Sequence, residues 1–323
     1  MDGSRGDRGV SRMPRRLGRV VVLSERRGTR ERRELPALDH LLGGRALGVS
    51  YQPILARRVG ADGVSRWRVD AAEALVRAGA GGTALRPGQF LPEVERAGLM
   101  PSLFQFVLAE ALSALLAWQK HHGLTLSVAV NLHTAALLDD SLPGLLAGLL
   151  DAADVAPARL TLELTEHAPI ADLRRAACNL ARLRRAGLRA ALDDFGTGFS
   201  TATRLAWLEC DELKIDRAVV RGLEHSDEQR CVVESLIELA HARGMSACAE
   251  GVETQAALRL LSAFGCDRVQ GFVVARPAPA AAFVELARGW EARALFTGVA
   301  EHSQLPLPGV GCAQQGEDLD AIA

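Results

Sequence analysis

Lysine is nearly missing from this chain. Of its 38 cationic side chains only Lys120 and Lys214 are lysines, and the rest are arginines. Arginine is the default solvated cation here, so each lysine is correspondingly informative. Excess charge is missing too. The formal net charge is −1, which excludes polyanion binding by the chain as a whole and indicates no DNA partner. Cys–X–X–Cys pairs are absent, and none of the six cysteines (Cys178, Cys210, Cys231, Cys248, Cys266, Cys312) has zinc-ligand spacing with histidine. Cys231, Cys248 and Cys266 lie in apolar surroundings and read as core residues. That usage is expected of a reduced, cytoplasmic compartment rather than of secretion. No uninterrupted apolar run reaches the roughly 20 residues that span a bilayer, so no membrane span is expected. The N-terminus is arginine-rich but lacks the apolar core of a secretory peptide.

What is present is a large apolar fraction, 48 % of 323 residues, arranged in a regular alternation. Residues 1–45 stand apart. Eleven arginines fall between Arg5 and Arg33, mixed with acids and glycines, and the segment reads as a partly disordered arm. Residues 294–323 form a low-pattern, weakly acidic tail with the same expectation. Between them, residues 46–293 read as one barrel domain. Short apolar runs, Gly48–Ile54, Arg68–Arg77, Leu126–Asn131, Leu160–Leu164, Leu188–Asp193, Glu212–Ile215, Ser246–Ala249 and Arg268–Gln270, alternate with amphipathic stretches such as Leu103–His121, Asp172–Ala186, Glu228–Arg243 and Gln255–Phe264. Strands separated by helices imply parallel βαβ units. Eight of them over this length point to an α/β fold of the (β/α)8, TIM-like kind. The first two runs break the rule, because only Arg57–Ser65, with Gly60 and Gly63, lies between them. That is hairpin spacing and predicts an antiparallel strand near the start.

Polar residues fall at the ends of these runs: Glu73 and Arg77, Asn131, Glu163, Asp193 and Asp194, Lys214, Glu250 and Gln270. In a barrel such positions converge on one mouth. Buried carboxylates cost several kcal/mol each unless paired or bound to a cation. Carboxylate and amide oxygens without histidine or thiolate suit hard cations, Mg²⁺ or Mn²⁺. Glu73 and Arg77 are four apart on a strand and share a face, so a cation at Glu73 and an anion at Arg77 suggest a phosphate ester. Asp193 and Asp194 are adjacent and cannot both point inward from a regular strand. Asp194 is therefore expected to have left the sheet at the Phe195–Gly198 turn, and the pair could serve two metals set for in-line phosphodiester cleavage.

Taken in order, several segments resemble the EAL domain family. They are Tyr51–Ile54, Glu73-Ala74-Leu75-Val76-Arg77, Phe90-Leu91-Pro92 with Glu95, Val130-Asn131-Leu132, Glu163–Glu166, Asp193–Gly198, Leu213–Arg217, Ala249–Glu253 and Gln270-Gly271-Phe272. A lone Glu-Ala-Leu means nothing, but this ordered set from residue 48 to about 290 is specific. The resemblance implies a modified (β/α)8 barrel that hydrolyses cyclic di-GMP to linear pGpG with two Mg²⁺ or Mn²⁺ ions. It implies Glu73, Asn131, Glu163 and Asp193 as ligands of one metal, with Asp193, Asp194 and Glu250 around the second and its water. Lys214 would orient that water. Arg77 would contact phosphate, and Gln52, Leu75 and Gln270 the substrate. Glu166 and Glu253 would support the loop after Asp194, which the family also uses in dimer contacts. A homodimer and a regulatory protein partner follow as expectations.

Bland alternatives stand beside these. Glu166 and Glu253 suit helix N-termini as well as loop support. Gln52 could be a satisfied strand residue, His133 a loop or helix-start residue, and His121-His122 a solvated helix end. The chain also departs from the family at Ala71, Ala78, the segment 79–86, His133, Arg204 and Glu209. None of these removes an implied metal ligand. A module that binds cyclic di-GMP without cleaving it is the competing function.

Overall fold

The computed structural model describes residues 38, 41, 47–61, 65–79, 85–165, 170–197 and 201–296, and of these nothing is said of the side chains of 201, 202 and 291–296. Most of the expected arm and tail lies outside these residues, as does Glu166.

Two long strands start the fold. Strand β1 (Leu47–Val59) and β2 (Ser65–Ala78) pair antiparallel over their whole length. The hairpin spacing foretold this, although β1 runs two residues beyond Arg57. Helices α1 (Pro87–Arg96) and α2 (Met100–His122) follow. Then come β3 (Ser127–Leu132), α3 (Leu142–Ala153), β4 (Leu160–Thr165), α4 (Leu173–Arg185) and β5 (Arg189–Phe195). The chain continues through α5 (Thr201–Trp207), β6 (Glu212–Ile215), the single turn α6 (Arg217–Val220), α7 (Asp227–Ala242) and β7 (Ser246–Ala249). It ends with α8 (Gln255–Ala263), β8 (Arg268–Gln270), a two-residue β9 (Ala278–Pro279) and α9 (Ala280–Phe296). Strands β2 to β8 are parallel neighbours in chain order, and β1 closes the ring between β8 and β2. This is a (β/α)8-type barrel with one reversed strand.

Local chemistry explains the helix starts. Asp172, Ser226 and Thr254 each accept a backbone N–H from the third residue of α4, α7 and α8. Helix α2 closes on Gly123 in the left-handed conformation, with His121 and His122 exposed in its last turn. By length and composition α2 could cross a bilayer, but half of its apolar window is buried inside the fold. The buried side packs Trp118 flat on Phe283 of α9 at 4.5 Å and edge-on to Tyr51 of β1 at 5.0 Å. The barrel thereby accounts for its apolar face. Cys248 and Cys266 are core residues as expected, but Cys231 is exposed. On α7 the inward stripe is Val233, Ile237 and Ala240, and Cys231 precedes it by two residues, about 200° around the helix.

Alternation divides each strand between two cores. Outward side chains such as Leu55, Val128, Val130, Leu162, Leu213 and Val269 pack under the helices. Inward side chains stack in three levels. At the N-terminal end Arg268 bridges Glu212 at 2.8 Å and Asp70 at 3.0 Å. Asp70 is the unpaired residue where the β1–β2 register slips, and this bulge lets both Asp70 and Ala71 serve the interior. Ile54, Ala71, Ala129 and Cys248 form a small apolar level above it. The third level, at the C-terminal ends, is polar.

Candidate active site

Lys214 is the centre of that polar level. It sits third in β6, faces inward and is fully buried. Its Nζ lies 2.7 Å from Glu163 Oε1, 2.9 Å from Asp193 Oδ1 and 2.6 Å from Glu250 Oε1. Three carboxylates from β4, β5 and the end of β7 thus converge on one ammonium. The parallel registers align them, with Asn131 beside Glu163, Thr165 beside Asp193, and Lys214 beside Cys248.

Glu73 completes the rim from β2. Both of its oxygens accept an amide proton: Oε1 from Asn131 Nδ2 at 3.0 Å and Oε2 from Gln270 Nε2 at 2.6 Å. Gln270 also donates to Gln52 Oε1 at 3.1 Å. Leu75 and Arg77 follow Glu73 on the same strand face, both half-buried. Burial pulls the Arg77 guanidinium below its ordinary pKa, and the charge of Glu73 pulls it back up.

Asp194 departs from the sequence-based expectation. It remains within β5, which continues to Phe195, and the Phe195 carbonyl accepts from Asp216. The pairing of β5 with β6 instead slips between Leu192 and Phe195, and Asp194 has φ 56°. A bulge with one left-handed residue puts two successive carboxylates on one side without ending the strand. Ligand oxygens of Asp193, Asp194 and Glu250 come within 4.8 Å of one another, a grouping able to hold a metal ion.

Two glycines hold the mouth closed. A Cβ on Gly271 would stand 2.1 Å from the Val252 carbonyl oxygen, so β8 and the segment after β7 meet backbone to backbone. Gly251 has φ 63°, and a Cβ there would meet Arg217 at 2.4 Å. These contacts set Glu250 and Gln270 side by side.

The electrostatics are those of an under-compensated acid cage. Glu73, Glu163, Asp193 and Glu250 share one ammonium. Burial raises Glu163 well above the ordinary carboxylate range; Lys214 opposes this, while Glu73 and Asp193 add to it. Burial likewise pushes Glu250 up to about 8, against the pull of Lys214. Burial alone would lower the Lys214 pKa, but Asp193, Glu163, Glu250 and Glu73 together raise it well above its ordinary value. The four acids thus favour the charged form of Lys214. Glu163 Oε2 is buried and has no hydrogen-bond partner, and Asn131 uses its amide nitrogen on Glu73, leaving its oxygen as donor atom. Oxygen donors, surplus negative charge and an orphaned carboxylate oxygen fit a hard divalent cation.

Other expected residues fall farther out. Glu253 is exposed and lines a cleft of about 730 Å³ with Arg217, Arg221, Glu224 and Thr254. His133 caps the 3₁₀ turn Thr134–Leu138 and lies 3.1 Å from Glu95. Sequence reasoning assigned no role to Arg204. It is buried, and its guanidinium donates to the Thr165 carbonyl at the end of β4, next to the site. A buried arginine on a short helix gives no periodic signal that could have revealed this.

Barrel, reversed first strand and acid cage define a class: a (β/α)8 barrel with a cluster of carboxylates at the C-terminal mouth. Residues 36–277 match the EAL domain, and the chain belongs to that family. It is 38 % identical over 252 residues to an uncharacterized signaling protein of Caulobacter vibrioides, covering 77 % of this chain and 30 % of that one. It is 35 % identical over 201 residues, 61 % of this chain and 29 % of the other, to the bifunctional diguanylate cyclase/cyclic di-GMP phosphodiesterase MucR of Pseudomonas aeruginosa. The chain spans about a third of the length of these curated relatives. Among solved structures, a MucR phosphodiesterase–c-di-GMP complex superposes with TM-score 0.67 at 31 % identity, covering 78 % of this chain and 99 % of that one. The EAL domain of Mycobacterium smegmatis DcpA gives 0.62 at 29 %, covering 76 % and 97 %.

Proposed function

We propose that this chain hydrolyses one phosphodiester bond of cyclic di-GMP, giving linear pGpG, with two Mg²⁺ or Mn²⁺ ions. The observation that carries this reading is the convergence of Glu163, Asp193 and Glu250 on the buried Lys214. The kinship to MucR, a named cyclic di-GMP phosphodiesterase, supplies the substrate.

Glu73, Asn131, Glu163 and Asp193 would hold one ion, and Asp193, Asp194 and Glu250 the other. Bound there, such ions polarise phosphoryl oxygens and acidify water. The chain's own residues do the rest. Arg77, half-buried beside Glu73, binds a phosphate oxygen, and Leu75 lies along the ribose or base. Lys214 stays protonated and donates a hydrogen bond that orients the attacking water. Glu250, grouped with Asp193 and Asp194, takes a proton from that water. The water oxygen bonds to phosphorus as the phosphorus–O3′ bond breaks, and the leaving oxygen is protonated.

Glu253 supports the loop after Asp194, as Glu166 does, and that loop carries a homodimer contact. The setting is cytoplasmic, with regulation through a protein partner. The test is direct. Purified protein with Mg²⁺ or Mn²⁺ converts cyclic di-GMP to pGpG, followed by chromatography, and Glu73→Ala does not. Full turnover by that variant refutes the metal assignment. Tight binding with no turnover under either metal makes the chain a cyclic di-GMP-binding module instead.

A further inference from the structure

The two glutamines at the mouth form a chain with a fixed direction. A backbone carbonyl can only accept. The Ala275 carbonyl accepts from Gln52 Nε2 at 3.3 Å, so the Gln52 amide nitrogen faces Ala275 and its oxygen faces Gln270. That oxygen accepts one proton of Gln270 Nε2, and Glu73 Oε2 accepts the other. Both Gln270 amide protons are thereby spent within the protein. Its Oε1 is buried and has no hydrogen-bond partner. Were the Gln270 amide turned over, its oxygen would face the Gln52 oxygen and the Glu73 carboxylate together, two acceptor–acceptor contacts in a buried place.

This wiring disfavours a phosphate contact by Gln270, which has no free proton to offer and only an acceptor left. It also gives Gln52 a purpose that does not involve touching substrate. Ala275 belongs to the tight turn after β8, in which its N–H and that of Val274 both return to the Gly271 carbonyl. The same turn carries Phe272 under the Arg276 guanidinium, 4.0 Å from the ring centroid. Gln52, on β1, is thus tied to that turn on one side and to the Glu73 carboxylate, through Gln270, on the other.

We infer that Gln52 is a positioning residue of the cation site: anchored on the Ala275 carbonyl, it holds the Gln270 amide in the orientation that aims the Glu73 carboxylate at the metal. The inference rests on the metal reading above. A neighbour that orients a metal ligand is worth about 10- to 100-fold in metal affinity. The reversed strand β1 then contributes to the site by orienting a ligand, which explains why an inward amide stands on it.

The experiment is Mn²⁺ binding to the full chain by electron paramagnetic resonance, without substrate, for wild type, Gln52→Met, Gln270→Met and the double variant. Gln52→Met weakens Mn²⁺ binding by about tenfold. The double variant is no weaker than Gln270→Met alone, because Gln52 acts through Gln270. In turnover assays at saturating Mn²⁺, Gln52→Met leaves KM for cyclic di-GMP within error of wild type. Unchanged Mn²⁺ affinity with a raised KM would make Gln52 a substrate contact and overturn the inference. So would independent losses that multiply in the double variant. Wild-type protein that binds no Mn²⁺ would overturn the metal reading itself, an outcome distinguished by the first measurement.

Discussion

Replacing Lys214 by methionine separates its charge from its volume. Methionine fills most of the space of the lysine stem, so the cavity contribution is small. What disappears is the ammonium that lies 2.6–2.9 Å from three carboxylates. Removing one partner of a buried ion pair costs about 3–5 kcal/mol, because the remaining charge is stranded. In a domain of this size each kcal/mol moves Tm by about 2–4 °C, so a fall of about 6–20 °C is expected in chelator. The loss also depends on pH. Glu163 and Glu250 have folded-state pKa values above their unfolded ones, so folding takes up protons. Metal-free stability then falls as pH rises from the unfolded carboxylate range through the folded value, about 8 for Glu250. Lys214 holds both values down, so the variant's acids titrate higher still, and its deficit relative to wild type widens once pH rises past about 8, where wild-type Glu250 begins to ionise. Urea unfolding with EDTA at about pH 7 and about pH 9.5 measures this directly. A deficit below about 1 kcal/mol, or one equal at both pH values, would refute the claim that Lys214 neutralises the cage.

Three further outcomes follow from the same geometry. Glu250→Gln removes the group raised to about 8, so the metal-free variant loses less stability than wild type between about pH 5 and 8 in the same unfolding series. Glu212→Gln, at the opposite end of the barrel, strands part of the Arg268 charge and costs about 3 kcal/mol of stability. Its Mn²⁺ affinity, read by titration, stays at the wild-type value because the level of Ile54, Ala71, Ala129 and Cys248 lies between. Gly271→Ala forces two backbone segments apart at Val252 and costs about 3 kcal/mol or more, visible as a lowered Tm and weakened Mn²⁺ binding together.

Much of this barrel is legible along the chain because its signals are local. Inward polar residues close short apolar runs at Glu163, Asp193 and Lys214, and the structure finds strands β4, β5 and β6 there. Gly60 and Gly63 mark the hairpin that reverses β1. Asp172, Ser226 and Thr254 announce three helices by side-chain capping that needs no tertiary partner. Sequence alone also limited the site to hard-cation chemistry, since oxygen donors are all it offers at these strand ends.

Other features required the chain to close on itself. Asp194 was expected beyond the sheet, yet it lies in a bulge of β5, because register against β6 decides where a strand slips. Cys231 was expected in the core, yet which helical stripe turns inward depends on how α7 seats on the barrel. The Gln52–Gln270–Glu73 chain joins residues about 200 positions apart, and nothing near Gln52 indicates which way its amide faces. Periodicity and motif order are properties of neighbours along the chain, and they determined the barrel and the identity of its polar residues. Ring closure brought β1 beside β8, and so decided which of those residues converge on Lys214 and which hydrogen-bond to one another across the mouth.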